Sequence, residues 1–191
     1  MKNKGLLIVL SGPSGVGKGT ICEKLVGARD DISVSVSVTT RKPRVIDKEG
    51  VTYFFRSRSE FEEMIKANKF LEWAEYSGNY YGTPVELIDE KLERGEDVIL
   101  EIEVQGALKV LGKRKDALSV FVAPPDEEAL YARLRNRGTE TEEQIEKRIK
   151  AAEEELKHKN KYDYIVVNDV LEDAVVEIER IIKNEKEKDA K

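Results

Sequence analysis

The sequence predicts an α/β fold in which a parallel sheet lies between two layers of helices, and three observations support this prediction. Four short apolar runs, at residues 6–10, 98–104, 118–122 and 165–167, have the composition of buried strands. Segments with apolar residues at helical spacing separate these runs, and such alternation places helices on both faces of a parallel sheet. The length of 191 residues suits a single folding unit.

The first strand leads directly into the sequence GPSGVGKGT. This loop comprises Gly12, Pro13, Ser14, Gly15, Val16, Gly17, Lys18, Gly19 and Thr20. Its glycines permit backbone conformations that let successive N–H groups converge on an anion, and Lys18 adds a positive charge. A helix starting near Gly19 directs its positive dipole end to the same place. The pattern therefore predicts a phosphate-binding loop (P-loop), although the strict motif has a hydroxyl where Gly19 stands. A glycine-rich packing turn is the alternative.

The elements that follow divide the chain into three parts. The first helix carries Ile21, Leu25 and Val26 on one face. Residues 33–39 alternate valine with serine or threonine, which predicts a half-exposed sheet and an inserted lobe over residues 33–84. We assign the core to residues 1–32, 85–126 and 151–191, and a helical lid to residues 127–150.

Three helices are predicted from their capping residues or from their apolar faces. Capping boxes are predicted at Ser59 with Glu62 and at Thr141 with Gln144. The apolar faces of these two helices and of the last helix contain Phe61, Met64, Ile65, Ile145, Ile149, Ala152, Leu156, Ala174, Val175, Ile178, Ile181 and Ile182.

Composition excludes several classes of protein. A formal net charge of −5 argues against a general nucleic-acid binder. The single cysteine, Cys22, excludes an intramolecular disulfide and suits a reducing compartment. No apolar run is long enough to span a bilayer, and no secretory leader is visible. We expect a cytoplasmic protein with no membrane or nucleic-acid partner.

Arg41 and Arg44 flank Pro43, so two guanidinium groups are available to one phosphate. Tyr53 and Tyr81 could donate phenolic hydrogen bonds to the same anion. A solvated surface loop is the alternative for the arginines.

Glu72 lies between apolar neighbours, where a shielded carboxylate could read the edge of a base. Guanine presents N1–H and an exocyclic amine side by side, and one carboxylate accepts both, while Thr83 or Ser37 could donate to O6. The alternative places Glu72 at the exposed end of a helix.

Glu101, Glu103 and Gln105 are spaced by two at the end of a predicted strand, hence on one face. Carboxylates at this end of a parallel strand, beside a P-loop, are placed to hold hydrated Mg²⁺. Farther on, Arg133 and Arg137 lie four apart before a glycine, and Arg148 follows on the next helix. These arginines predict a cationic flap that closes over phosphates, with surface ion pairs to nearby glutamates as the alternative.

Together these motifs resemble the guanylate kinases of the P-loop nucleoside monophosphate kinase family. The resemblance rests on GPSGVGKGT, SVTTRKPR, FLEWAEYSGNYYGT, LEIEVQGA, APP, RLRNRGTET and IVVND, in this order over nearly the whole chain. It implies a three-layer P-loop NTPase core with a parallel sheet, a small mixed α/β GMP-binding lobe and a helical lid. It also implies transfer of the γ-phosphoryl group of ATP to GMP, giving ADP and GDP in purine nucleotide metabolism, by a monomer or homodimer that uses Mg²⁺.

The resemblance also implies roles for particular residues. The GMP phosphate would contact Arg41, Arg44, Tyr53 and Tyr81, and the guanine would contact Ser37, Glu72 and Thr83, with Glu101 and Glu103 close to GMP. ATP would bind the P-loop, with Asn168 near adenine, and Mg²⁺ would be held by Thr20 and Glu103 through water. The catalytic cations would be Lys18, Arg41, Arg133, Arg137 and Arg148.

Some positions depart from the family pattern. Glu103 stands where aspartate is usual, the loop of residues 45–50 lacks the glycine and glutamate that usually come after the second arginine, and Thr52 replaces an aspartate. Two other classes are therefore considered: a guanylate-kinase-like binding module without catalysis, and a P-loop kinase for a different acceptor. The intact Lys18 and lid arginines favour catalysis, and Glu72 favours GMP.

Overall fold

The computed structural model describes residues 4–76, 78–135 and 141–189, in which strands and helices alternate. The strands are β1 (Leu7–Ser11), β2 (Ile32–Val34), β3 (Val38–Thr39), β4 (Phe54–Phe55), β5 (Phe70–Tyr76), β6 (Asn79–Pro84), β7 (Asp97–Glu101), β8 (Leu118–Ala123) and β9 (Tyr164–Val167). The helices are α1 (Lys18–Ala28), α2 (Arg58–Lys66), α3 (Val85–Glu93), α4 (Val104–Lys113), α5 (Glu127–Arg135), α6 (Glu142–Leu156) and α7 (Leu171–Asp189).

The core is a five-stranded sheet in the order β2-β7-β1-β8-β9, with every pair parallel. Side chains alternate across β1: Ile8 and Leu10 join the apolar cluster under α1 and α7, whereas Leu7 and Val9 join the cluster under α3 and α4. Burial of each such side chain contributes about 1.5–3 kcal/mol. The predicted parallel sheet with helices on both faces is confirmed, and β1, which leads into the P-loop, is its central strand.

A second, four-stranded sheet in the order β4-β3-β6-β5 lies outside the core. Its β3–β4 pair is parallel, and its other pairs are antiparallel. Helix α2 covers it with Phe61, whose ring stacks on Phe70 at 4.4 Å between centroids, and Val38 completes this small buried cluster. The inserted lobe therefore has a separate and much smaller core.

The alternating segment 33–39, predicted to form a half-exposed sheet of the inserted lobe, is divided between the two sheets. β2 ends at Val34 in the core sheet, and β3 begins at Val38 in the second sheet. The N–H of Ser35 still donates to Ile99 of the core strand β7, whereas the carbonyl of Ser37 already accepts from Phe54 of β4. The chain therefore changes sheets within this segment, and Ser37 lies at the junction.

Several other predicted details change. The capping box of α2 consists of Ser57 and Glu60, so the prediction of Ser59 with Glu62 is wrong, whereas the box of Thr141 with Gln144 is confirmed. On α1, Val26 is 37% exposed, and Cys22 is buried with Ile21 and Leu25 instead. Residues at i and i+4 share a helix face, and Cys22 one step along fills the space beside them.

The proposed lid is joined to the core by a continuous helix. Helix α6 runs through residues 150 and 151, so our division between lid and core falls inside it. Leu130 and Leu134 of α5 pack with Ala152 of α6 in a small apolar cluster. Among the described residues, no helix combines the length and apolar character needed to cross a bilayer.

Candidate active site

The P-loop connects β1 to α1 through glycines that no other residue could replace without strain. Gly12, Gly15 and Gly17 have φ angles of 146°, 85° and 97°. A Cβ atom on Gly12 would lie 2.2 Å from the carbonyl oxygen of Val122. The N-cap residue Gly17 makes no side-chain capping hydrogen bond, so the first N–H groups of α1 remain available to a ligand. The loop therefore has the geometry of an anion site.

Lys18 closes over this loop. Its Nζ donates to the carbonyl oxygens of Gly12 at 2.6 Å and of Pro13 at 3.1 Å. Burial lowers the pKa of Lys18, while the negative charges of Glu155, Glu101 and Glu103 oppose that shift. Desolvation of the ammonium group is thus partly compensated by carboxylates around the loop.

Glu155, near the end of α6, is a neighbour of the P-loop that sequence reasoning missed. Burial raises its pKa, and the charge of Lys18 and a hydrogen bond from the backbone of Ser14 act in the opposite direction. It belongs to a run of three glutamates on a charged helix. Nothing in that composition separates it from its solvated neighbours, so only the packing of α6 identifies it.

The prediction that Glu101 and Glu103 share one face of a strand is wrong. β7 ends at Glu101, Glu103 is the N-cap residue of α4, and Gln105 lies inside that helix. Glu101 is close to the P-loop: a Cβ on Gly19 would lie 3.5 Å from its Oε1. Burial raises the pKa of Glu101, and Lys18 opposes this shift.

Two clefts meet at these residues. The P-loop cleft, of about 360 Å³, is lined by Ser14, Gly15, Gly17, Lys18, Gly19, Thr20 and residues 101–103. The second cleft, of about 440 Å³, lies between the core and the inserted lobe. We call it the acceptor cleft, and its lining includes Ser37, Tyr53, Glu72, Tyr81, Gln105, Gly106 and again residues 101–103. The lobe thus brings the predicted residues Ser37, Tyr53, Glu72 and Tyr81 to one wall.

Glu72 lies on β5, not at a helix end, and Thr83 on β6 is its cross-strand partner. The fully buried Thr83 hydroxyl donates to Glu72 Oε1 at 2.7 Å. Burial raises the pKa of Glu72, and this hydrogen bond, Lys109 and Lys113 oppose the shift. The sequence suggested that Thr83 could donate to a base. Its hydroxyl has a single proton, which it donates to Glu72, so it cannot donate to a base at the same time.

Arg41 is held beside the acceptor cleft by a carboxylate that sequence reasoning also missed. Its guanidinium donates to Asp47 Oδ2 at 2.9 Å and lies 5.3 Å from the ring centre of Tyr53. The ring centres of Tyr53 and Tyr81 are 6.0 Å apart. The Arg44 N–H also donates to Asp47, whereas the Arg44 side chain is exposed and does not line the cleft. Hydrogen bonds from Arg41 and the Arg44 backbone hold the pKa of Asp47 below its usual value.

The lid helices carry two of the predicted cations. Arg133 lies on α5 and Arg148 on α6, and both are half-buried. The predicted Arg137 lies outside the described residues. Helix α5 reaches the P-loop through Leu134, since a Cβ on Gly15 would lie 2.8 Å from Leu134 Cδ2. Asn168 follows β9 and is buried against the same loop.

Comparison with known proteins agrees with this architecture. The sequence profile of the family described as guanylate kinase matches residues 4–185. Guanylate kinases of Halalkalibacterium halodurans and Bacillus subtilis are each 53% identical to this chain, over 96% and 95% of it, and the matches cover 90% of each relative. A crystal structure of guanylate kinase from Anaplasma phagocytophilum superposes with a TM-score of 0.74 at 35% identity, covering 96% of this chain and 87% of that one. The chain therefore belongs to the guanylate kinase family of ATP-dependent transferases that phosphorylate GMP.

Proposed function

We propose that this chain transfers the γ-phosphoryl group of ATP bound at the P-loop to GMP bound in the acceptor cleft. The observation that carries this proposal is that the two clefts share residues 101–103. A donor and an acceptor placed on either side of that segment would meet at their phosphates. Phosphoryl transfer requires little covalent participation by the protein, so alignment and charge stabilisation supply most of the acceleration.

The donor half would act through backbone groups and one side chain. The N–H groups of residues 12–20 would surround the phosphates of ATP. Lys18 Nζ, which in this structure donates to two loop carbonyls, would donate to the outer phosphates of ATP instead. Its position above the loop supports a role in stabilising negative charge in the transition state.

The acceptor half would read guanine through Glu72. With Oε1 oriented by Thr83, the carboxylate would accept from guanine N1–H and the exocyclic amine. Adenine has a lone pair at N1 and no amine at C2, so it would give the half-buried carboxylate no donor beyond the Thr83 hydroxyl, which is costly. Ser37, at the junction of the two sheets, remains able to contact O6.

The GMP phosphate would lie near Tyr53 and Tyr81, whose rings are adjacent. Arg41 would exchange Asp47 for the phosphate, which offers the same charge-assisted hydrogen bonds. Arg44 lies on the same short loop, and its exposed side chain is free to turn toward the anion.

Mg²⁺ would be held loosely by this site. No cluster of three or more histidine, cysteine, aspartate or glutamate side chains suited to a metal occurs within residues 4–76, 78–135 and 141–189. The Thr20 hydroxyl and the Glu103 carboxylate border the P-loop cleft and fit an ion that keeps most of its water and binds substrate phosphates. Bound there, the ion would supply positive charge that offsets the negative charge of the ATP phosphates. Arg133, Arg137 and Arg148 would add positive charge from the lid.

The test is steady-state production of ADP from ATP with GMP, AMP, CMP and UMP offered separately, with and without Mg²⁺. We expect turnover with GMP only, and only with the metal. Equal rates with AMP and GMP would contradict the role of Glu72. Binding of GMP without turnover of any acceptor would identify a binding module instead. Because ATP and GMP are cytoplasmic metabolites and Cys22 is a free thiol, we also propose a cytoplasmic location.

A further inference from the structure

Asn168 connects the last strand of the core sheet to the P-loop. It follows β9 directly, its N–H donates to the carbonyl of Ala123 at 2.8 Å, and it is only 6% exposed. Its side-chain amide nitrogen donates to the carbonyl oxygen of Val16 at 2.8 Å. Backbone and side-chain bonds together therefore hold this residue in one orientation, with its amide against the loop.

The hydrogen bond to Val16 restrains the part of the loop between two glycines with positive φ angles. Val16 lies between Gly15 and Gly17, which both have positive φ angles. The Asn168 amide nitrogen lies 2.6 Å from the position that a Cβ on Gly17 would take, so the side chain packs directly on that residue. A different loop conformation would leave both this amide and the Val16 carbonyl without their buried partner, at a cost in free energy.

This contact also sets the direction of an N–H group. The peptide between Val16 and Gly17 is planar and trans, so its C=O and N–H point in opposite directions. Because the carbonyl is directed at Asn168, the Gly17 N–H points away from Asn168. Gly17 lines the P-loop cleft, where an anion would need such donors.

We propose that Asn168 is a positioning residue for the phosphates of the donor nucleotide, which acts through the Val16–Gly17 peptide and independently of the base. The proposal rests on the placement of ATP at the P-loop proposed above. A role confined to the adenine ring would require only that Asn168 lie near the base. The hydrogen bond to the loop backbone predicts in addition an effect on ligands that have no base.

The experiment measures binding of Mg²⁺-tripolyphosphate, Mg²⁺-ATP and GMP by calorimetry to the unsubstituted protein and to Asn168→Ala. We expect the substitution to weaken tripolyphosphate and ATP by the same factor, about tenfold, because one buried hydrogen bond is lost and the Val16 carbonyl is left unpaired. GMP affinity stays unchanged, which shows that the fold is intact. Asp169→Ala, at the exposed neighbouring position, is the matched control and leaves all three affinities unchanged.

Two results would overturn the proposal. A loss of ATP affinity with unchanged tripolyphosphate affinity would restrict Asn168 to the adenine, and unchanged affinity for both would remove any role. Asn168→Leu, which preserves side-chain volume without a donor, gives the same comparison if the alanine variant does not fold. Failure of the unsubstituted protein to bind either phosphate ligand would instead refute the placement of ATP, and this proposal with it.

Discussion

The P-loop cleft is lined mainly by residues of one short loop, whereas the acceptor cleft is lined by residues from several separate segments. Gly12, Gly15 and Gly17 shape the first cleft. Glu72 from β5 and Tyr81 from β6 form one wall of the second. A site built from backbone depends on chain conformation, and a site built from side chains depends on strand register.

The two clefts also differ in their support. The P-loop is joined to the central strand of the core sheet and lies against Val122 of β8. The acceptor residues rest on a small sheet whose buried cluster contains Val38, Phe61 and Phe70. Substitutions in the first cleft should therefore cost stability and donor binding, whereas those in the second should alter acceptor selectivity and its pH dependence.

The largest effect is expected from Gly12→Ala. Its Cβ would lie 2.2 Å from a backbone oxygen, so we expect loss of ATP binding and about 3 kcal/mol of folding stability. Gly78→Ala is the matched control, since Gly78 also has a positive φ, of 76°, but its Cβ would meet nothing within 4 Å. That variant should lose only about 1 kcal/mol. Denaturant unfolding measures the loss of stability, and ATP titration measures the loss of binding. Equal losses of stability in the two variants would contradict the role of the close contact between Gly12 and Val122.

Lys18→Met should reduce kcat by a factor on the order of 10³, because it removes the charge that we propose stabilises the transferring phosphoryl group and keeps the aliphatic stem. The acceptor cleft is untouched, so GMP affinity should not change. Steady-state kinetics and GMP titration separate the two quantities. Retained turnover would refute the role of the lysine as a phosphate clamp.

Glu72→Gln should lower kcat/KM for GMP by about 100-fold, because an amide presents a donor to guanine where the carboxylate accepted. The KM for ATP should stay constant. In the unsubstituted protein, GMP binding should weaken as the pH falls through the raised pKa of Glu72, and this limb should be absent from the variant.

The same titration acts on stability with the opposite sign. Burial raises the pKa of Glu72, so the folded chain binds this proton more tightly than the unfolded chain. Lowering the pH through that pKa therefore adds stability while it weakens GMP binding. The measurement is the free energy of unfolding of Glu72→Gln and of the unsubstituted protein across this pH range. A difference between them that did not change with pH would contradict this prediction.

Thr83→Val is expected to have the smallest effect, about tenfold on the KM for GMP. The Thr83 hydroxyl lowers the pKa of Glu72, so its removal should shift the acid limb of GMP binding to higher pH. A loss of affinity with no shift of that limb would indicate that the hydroxyl contacts guanine directly.

Most of the core could be predicted from sequence. The apolar runs identified four of the five core strands, and β2 was missed because its residues continue the alternating pattern of the segment that enters the lobe. An alternating pattern does not reveal in which sheet a strand pairs. Likewise, the spacing of Glu101 and Glu103 suggested one strand, but α4 begins between them and Gln105.

The sequence by itself determined the P-loop and the layers of the core, because both follow from local demands: glycine where φ is positive, and apolar residues where a strand is buried on two faces. The tertiary structure alone decided which polar groups pair. Thr83 donates to Glu72 across 11 residues and Asn168 to Val16 across 152. A hydrogen bond needs its two atoms within about 3 Å, and only the packed fold brings such distant residues that close.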